Sequence, residues 1–350
     1  MTREAASPPA NLVNPAGELT YGVWNAPLRD VDLDRARPRA GGIGLPGVAG
    51  RLRLKQWQHV CICLPDLLLT FAIVDTGYLK LSWCHVAPLD GREAFEHRRM
   101  GPHLRAHIAR ALWQDRTELT ARGYRMEIVN SLGLGEHRVH LAIDRRGSLP
   151  AISAELRIAH DLSAVEPLVV CLPLGNNRGM YSHKVPIPVT GRLRLGDEER
   201  VIDGDDAFAI LDIHKAHYPR HTWWNWATLA GRDREGRAVG LNLTRNVCLD
   251  EEQLNENAFW LEGKLTRLGP ARFAFQRHDP LEPWYLTTTD GAVDLEFRPL
   301  GKRSEQIRLG LIRSVFHQPF GRFRGRIRVG GEWVEIDGPA GVCEDHDAIW

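Results

Sequence analysis

The chain has 350 residues, 43% apolar content, and 45 basic against 44 acidic residues. A formal net charge of +1 gives no long-range pull toward nucleic acid or an anionic membrane. No run approaches the roughly 20 apolar residues of a membrane-spanning helix, and the length suits two domains of ordinary size.

Residues 1–50 form a Pro- and Gly-rich stretch, with Pro8, Pro9, Pro15, Pro27, Pro38, Gly41, Gly42 and Pro46. It is expected to be an irregular arm packed on the surface. Its start, MTREAASPPANLVNPAG, has no apolar signal core. The six cysteines (Cys61, Cys63, Cys84, Cys171, Cys248 and Cys343) include no C-x-x-C pair. Reduced thiols and a cytoplasmic location are therefore expected.

Beyond the arm the chain reads as strands and tight turns. GRLRL at 50–54, GRLRL at 191–195 and GRIRV at 325–329 each alternate apolar residues with arginine, giving one apolar face and one wet face. The apolar runs 67–74 and 168–172 suit buried strands. Turn residues predict five hairpins, at Arg146-Gly147, Gly196-Asp197, Glu235-Gly236, Asp290-Gly291 and Gly330-Gly331. Helix candidates are few: one short helix at 105–113, behind the Gly101-Pro102 break, and a helical turn within 250–260. Pro186 and Pro188 suit an extended passage and suit a central strand poorly. The predicted division is the arm 1–50, a first β-barrel-like domain 51–190 and a second 191–350.

Several polar and aromatic groups could carry chemistry. In HTWWNWATLAG, strand alternation puts Trp224 and Trp226 on one side and Trp223 on the other. These indoles could be core or the wall of an apolar site. In GVCEDHDAIW, Glu344, His346 and Trp350 share a strand face. A carboxylate beside an imidazole is a workable acid–base pair, and a barrel-end salt bridge is the alternative. LGNNRGMYSHK offers Asn177, His183 and Lys184, either as a turn and its flank or as a polar cluster at a pocket mouth. Lys184 could pair with Asp212 or Glu344. His214, His217 and His221 have metal-like spacing, but Pro219 interrupts them and no zinc pattern exists. No dinucleotide loop, phosphate loop or nucleophile elbow is present. No metal and no cofactor are expected.

The pieces LKQW, LPDLLLTFAIVDTGY, NNRGMYSHKVPIPVTGRLRLG, AILDIHKAHYPRHTWWNWA, ENAFWLEGK, PWYLTTTDGAVDLEFRPL and GVCEDHDAIW resemble, in order and spacing, the bacterial family Domain of Unknown Function 2804. More loosely, the ending CEDHDAIW is similar to those of carotenoid-hydratase-like two-lipocalin proteins. That resemblance implies two lipocalin-like, calycin-like barrels, and it transfers no reaction. The combined expectation is an all-β protein of two tandem lipocalin-like antiparallel β-barrels or sandwiches with an irregular N-terminal arm. It binds an apolar small molecule, lipid- or isoprenoid-like, with no nucleic acid and no membrane span. Whether it also catalyses cofactor-free proton transfer, such as hydration or isomerisation, stays open. Glu344, His346 and Asp212 are the candidates for chemistry. Trp223, Trp224, Trp226, Asn177, His183 and Lys184 are the candidates for binding. The rival readings are a non-catalytic carrier or structural module and a carbohydrate-binding β protein. The oligomeric state is left open.

Overall fold

Alternating sequence dictates alternating faces, and the computed structural model, which describes residues 7–40, 43–44, 50 and 52–350, is built almost wholly from antiparallel strands. All five expected hairpins form at their expected turns. One joins Glu136–Ile143 to Ile152–Ala159, and one joins Gly179–Leu195 to Glu198–Ile202. The others join His221–Arg232 to Ala238–Arg245, Trp284–Thr288 to Val293–Leu309, and Ile312–Val329 to Glu332–Ile349. In the last, Gly330 and Gly331 adopt φ of 60° and 96°, which a primed two-residue turn requires and β-carbon-bearing residues resist.

The helix expected at 105–113 is absent. Arg105–His107 is a strand paired with Asp115–Ala121. The following amides of Ala109 and Arg110 are taken by the side chains of Thr117 and Asp115, at 2.9 and 2.7 Å, which removes any need for helical acceptors. Within 250–260 a single helical turn forms, the Leu254 N–H donating to the Asp250 carbonyl at 3.0 Å, and Asp250 Oδ1 accepts from the Glu252 and Gln253 amides. The first GRLRL is not a strand as expected: Gly50, Leu52 and Arg53 are helical, Arg51 lies outside the described residues, and the strand begins only at Leu54.

The strands form two large sheets. The first has fourteen strands and includes everything from Leu54–Cys63 to Phe208–His217. The second has nine and runs from His221–Arg232 to Glu332–Ile349. Each sheet curls around its own apolar core. Val60, Phe71, Ile128, Leu141, Val185 and Leu211 are among the residues of the first core. Leu229, Leu243, Trp284, Phe297 and Phe323 are among those of the second. A third apolar cluster, with Cys61, Cys63, Leu172, Ile210, Trp224, Trp226 and Val342, lies between the sheets.

The passage between halves is not at 185–191. Gly179–Leu195 is one continuous strand, and the chain changes sheet at 218–220. The prolines have another explanation. The strand pairs with Leu168–Pro173 up to Lys184 and with Ile152–Ala159 from Val189. Pro186 and Pro188 fall in the gap, where one edge has no partner and a missing N–H costs no ladder bond. Pro186 also packs on the second sheet. A β-carbon on Gly240 would lie 2.3 Å from its Cγ, so glycine there lets the sheets close up.

The arm does more than cover the surface. Leu12, Trp24, Leu28, Val31 and Leu33 are buried in the first core, and Gly22–Trp24 adds a short strand to Leu168–Pro173. The six cysteines are free thiols, five of them buried. Among the described residues no helix is long and apolar enough to cross a membrane.

Candidate functional site

Register decides which side chains meet. In the second sheet Trp224 sits opposite His346 and Trp226 opposite Glu344. Paired residues share a face, so these four side chains point the same way. In the first sheet Trp57 is opposite His214, His59 opposite Asp212, and Asp212 opposite Lys184. These form a second common face. The two faces oppose each other across a cavity of about 140 Å³, with Trp83, Tyr218, Glu256, Arg303, Gln318 and Trp350 completing much of its wall.

The polar part of the wall is bonded in detail. Lys184 Nζ lies 3.1 Å from Glu256 Oε1 and 3.9 Å from Asp212 Oδ2. Thr244 donates its hydroxyl to Glu256 Oε1 at 2.6 Å, and Trp57 Nε1 reaches Asp212 Oδ2 at 3.5 Å. Trp224 Nε1 donates to Glu344 Oε1 at 2.7 Å, and Gln318 Nε2 donates to Oε2 at 3.0 Å. Trp226 Nε1 donates to Asn242, whose own amide holds the main chain at Glu256. Two of the three indoles in the run therefore hold polar groups as well as supplying apolar surface.

Burial sets the protonation states. It pushes the Glu344 carboxyl up to about 7, against the opposing pull of the Trp224 and Gln318 hydrogen bonds. It pushes Asp212 up to about 6, with Lys184 acting against it and Glu256 with it. Burial would lower the Lys184 ammonium, but Asp212 and Glu256 outweigh it and raise its pKa. Burial holds His59 and His346 down to about 3, so both imidazoles are neutral near pH 7. His346 Nε2 meets Ser314 Oγ at 2.8 Å, while Nδ1 lies 4.0 Å from Glu344 Oε1 with no hydrogen-bond partner in the protein. Asp212 Oδ1, Glu256 Oε2 and both nitrogens of His59 are likewise buried without a protein partner. Such groups are costly unless something bonds them. The aromatic part is layered: Trp57 stacks on His214 at 3.8 Å, and Tyr218 lies near-parallel to Trp224 and Trp350.

Strand parity divides the sequence candidates that lie on strands. Glu344, His346, Asp212, Lys184, Trp224 and Trp226 line the cavity. Trp223, Asn177 and His183 do not. Trp223 points the other way, with the Arg245 guanidinium 5.4 Å from its ring centre. Asn177 ties down the arm, donating to Gly17 and Arg37 and accepting from Leu19. His183 faces the interior of the first sheet, edge-on to His160, which is hydrogen-bonded to His137 at 2.8 Å. Among the described residues no group of side chains is arranged to hold a metal ion. Sequence reasoning missed Glu256, Gln318 and Arg303. Gln318 carried a readable signal, a polar residue in phase with Phe316 and Phe320. Glu256 carried none, because it precedes a strand in an irregular segment.

The buried imidazoles predispose the fold to acid. His59, His160 and His346 fall to about 3, and His85 and His217 to about 4, all chiefly through burial. A histidine whose folded pKa is depressed contributes stability that is complete above its unfolded pKa of about 6.5 and is lost as pH falls toward the folded value. Asp212, Glu251 and Glu344, raised chiefly by burial, have the opposite sign but are fewer. Chemical denaturation is expected to show a loss of several kcal/mol between pH 7 and pH 5; a flat profile would mean that these rings are hydrated.

The fold has solved relatives. The structure of CghA with Sch210972 superposes with a TM-score of 0.55 at 12% identity, covering 88% of this chain and 92% of that one. CghA alone gives 0.54 at 10% identity, covering 97% of each. Kievitone hydratase from Nectria haematococca gives 0.51 at 11% identity, covering 83% and 88%. At these identities the likeness is one of fold, and it agrees with the lipocalin-like two-barrel expectation. No curated protein sequence matches the chain. The profile of the family described as domain of unknown function (DUF2804) matches residues 3–350.

Proposed function

The chain belongs to the DUF2804 family, and we propose that it binds an apolar small molecule between its two sheets and moves a proton on it without a cofactor. The observation that carries this reading is Glu344. Its carboxyl is fixed by Trp224 and Gln318 inside an aromatic cavity, and burial brings its pKa to about 7. An acid poised near neutrality can both give and take a proton. Glu344 would protonate a carbon–carbon double bond or carbonyl of the ligand. The Glu344 carboxylate left behind would then take a proton back from an attacking water or from the carbon skeleton, and neutral His346, with Nδ1 4.0 Å from Glu344 Oε1, would orient that water. Addition of water gives hydration; loss of a proton from a different carbon gives isomerisation. The Lys184 ammonium, held by Glu256 and Asp212, supplies fixed positive charge beside developing negative charge. A hydratase among the fold relatives supports the same reaction class by analogy alone. The cavity wall is mostly apolar, which counts against a sugar, whose many hydroxyls need polar partners.

The binding half of the proposal is tested by filling the cavity. Val74 and Leu81 are cross-strand partners that both line it. 1-Aminonaphthalene, a dye small enough for the cavity, is expected to bind the wild type with enhanced, blue-shifted fluorescence, and Val74→Trp is expected to weaken that binding at least about tenfold while keeping the β circular dichroism spectrum. Equal binding by a folded Val74→Trp would place the dye elsewhere and remove the reading.

A further inference from the structure

One stretch of the cavity wall offers donors with no acceptor to match them. Lys55 is buried at the start of Leu54–Cys63, on the same strand face as Trp57 and His59. Its Nζ donates to the main-chain carbonyls of Leu52 and Thr76 at 2.8 and 2.7 Å, leaving one N–H over. It lies 4.6 Å from the ring centre of Tyr78 and 5.7 Å from that of Trp350. The Trp350 indole nitrogen is itself buried and has no hydrogen-bond partner in the protein, and the buried Tyr78 hydroxyl has only the Thr76 side chain beside it. All three residues line the cavity.

The other cations of the wall are paired. Lys184 has Glu256 and Asp212, Arg303 has Glu96 and Glu305, and Arg313 has Asp347. Among the described residues no carboxylate lies within ion-pair distance of Lys55. Asp75, on the adjacent strand, is taken by Lys80 at 3.4 Å. A buried ammonium without a counter-ion is costly.

We infer that Lys55, Tyr78 and Trp350 form a subsite for the carboxylate of the ligand, so that the molecule bound between the sheets is an apolar monocarboxylate. The anion would complete the ion pair that Lys55 lacks and accept from the free Trp350 indole or from the Tyr78 hydroxyl. A single cation within apolar walls suits a monoanion better than a phosphate dianion. Burial, helped by Arg53 and opposed by Asp75, has already brought the Lys55 pKa down to about 7, and a bound carboxylate would restore the charge. Four residues of strand separate Lys55 from His59, roughly 13 Å at the usual rise. The carboxylate is thus an anchor set apart from the Glu344 end, where the reacting carbon would lie.

This inference rests on the reading of the cavity as a ligand site. Isothermal titration calorimetry at pH 6 with 2-naphthoate and the isosteric 2-naphthalenemethanol separates the two. The acid is expected to bind at least about tenfold more tightly than the alcohol, as a charge-assisted pair requires. Lys55→Met should reduce that ratio to near one, and Tyr78→Phe should reduce it severalfold. Tyr78→Phe carries the test if Lys55→Met does not fold. Equal affinities for acid and alcohol in the wild type would overturn the carboxylate subsite and leave the cavity as an apolar site. An acid preference unchanged in Tyr78→Phe and in a folded Lys55→Met would place the anion elsewhere. Binding of neither compound would instead remove the ligand-site reading itself.

Discussion

Glu344→Gln is expected to lower turnover by about 10²–10⁴-fold, the usual contribution of a positioned acid or base. The substitution keeps shape and hydrogen bonding: the new amide oxygen could still accept from Trp224, and the Gln318 amide can rotate so that oxygen meets nitrogen. It removes the transferable proton and little else. The stability effect has a definite sign. Glu344 has a folded pKa near 7 against an ordinary 4.5. The contribution of Glu344 to wild-type stability therefore falls as pH rises from 4.5 through 7, because the buried carboxyl must ionise. The variant carries no such penalty. Its stability relative to wild type should rise across that interval, read as the difference in denaturation midpoints. A carrier without chemistry would show the same stability trend and no turnover to lose.

Lys184→Met is expected to destabilise the protein by about 3–5 kcal/mol, the cost of leaving a buried charge without its partner. Methionine nearly matches the lysine stem, so cavity formation contributes little. The loss comes from Glu256 and Asp212, which share one ammonium at 3.1 and 3.9 Å and would be left facing each other. Relative to wild type, lowering the pH should recover part of the loss by protonating Asp212, whose pKa burial already raises. The double variant Lys184→Met with Glu256→Gln should be more stable than the single one, since the unpaired charge is then removed as well. Equal stability of wild type and Lys184→Met would mean that water, and not the ammonium, solvates the two acids.

How far the sequence discloses this arrangement depends on where each residue sits. Strand alternation suffices for Trp224, Trp226, Glu344, His346, Asp212 and Lys184, because each is in phase with apolar neighbours on a long strand. The hairpins are legible for the same reason: glycine at a turn announces itself between alternating runs. Alternation also separates His183 from Lys184, whose side chains point to opposite faces of Gly179–Leu195; grouping them as one polar cluster ignores that parity. Asn177 is ambiguous because a turn residue offers the same signal whether it holds an arm or rims a pocket. Pro186 and Pro188 suggest a domain passage, since the sequence does not reveal that the strand changes neighbours there. Glu256 is invisible because its segment has no period. The opposition of the two faces, on which the cavity depends, follows only from the packing of one sheet on the other. The order of strands in sequence does not contain it.

The most direct measurement is deuterium uptake by the ligand. Apolar compounds captured by the protein from a lipid-soluble extract would be identified by native mass spectrometry and then incubated with the protein in deuterium oxide. The expected result is deuterium bonded to carbon in the recovered ligand or its product with wild type, and uptake at least about 100-fold slower with Glu344→Gln. Captured ligand that gains no deuterium on carbon with wild type, or gains it equally fast with Glu344→Gln, would contradict proton transfer by Glu344.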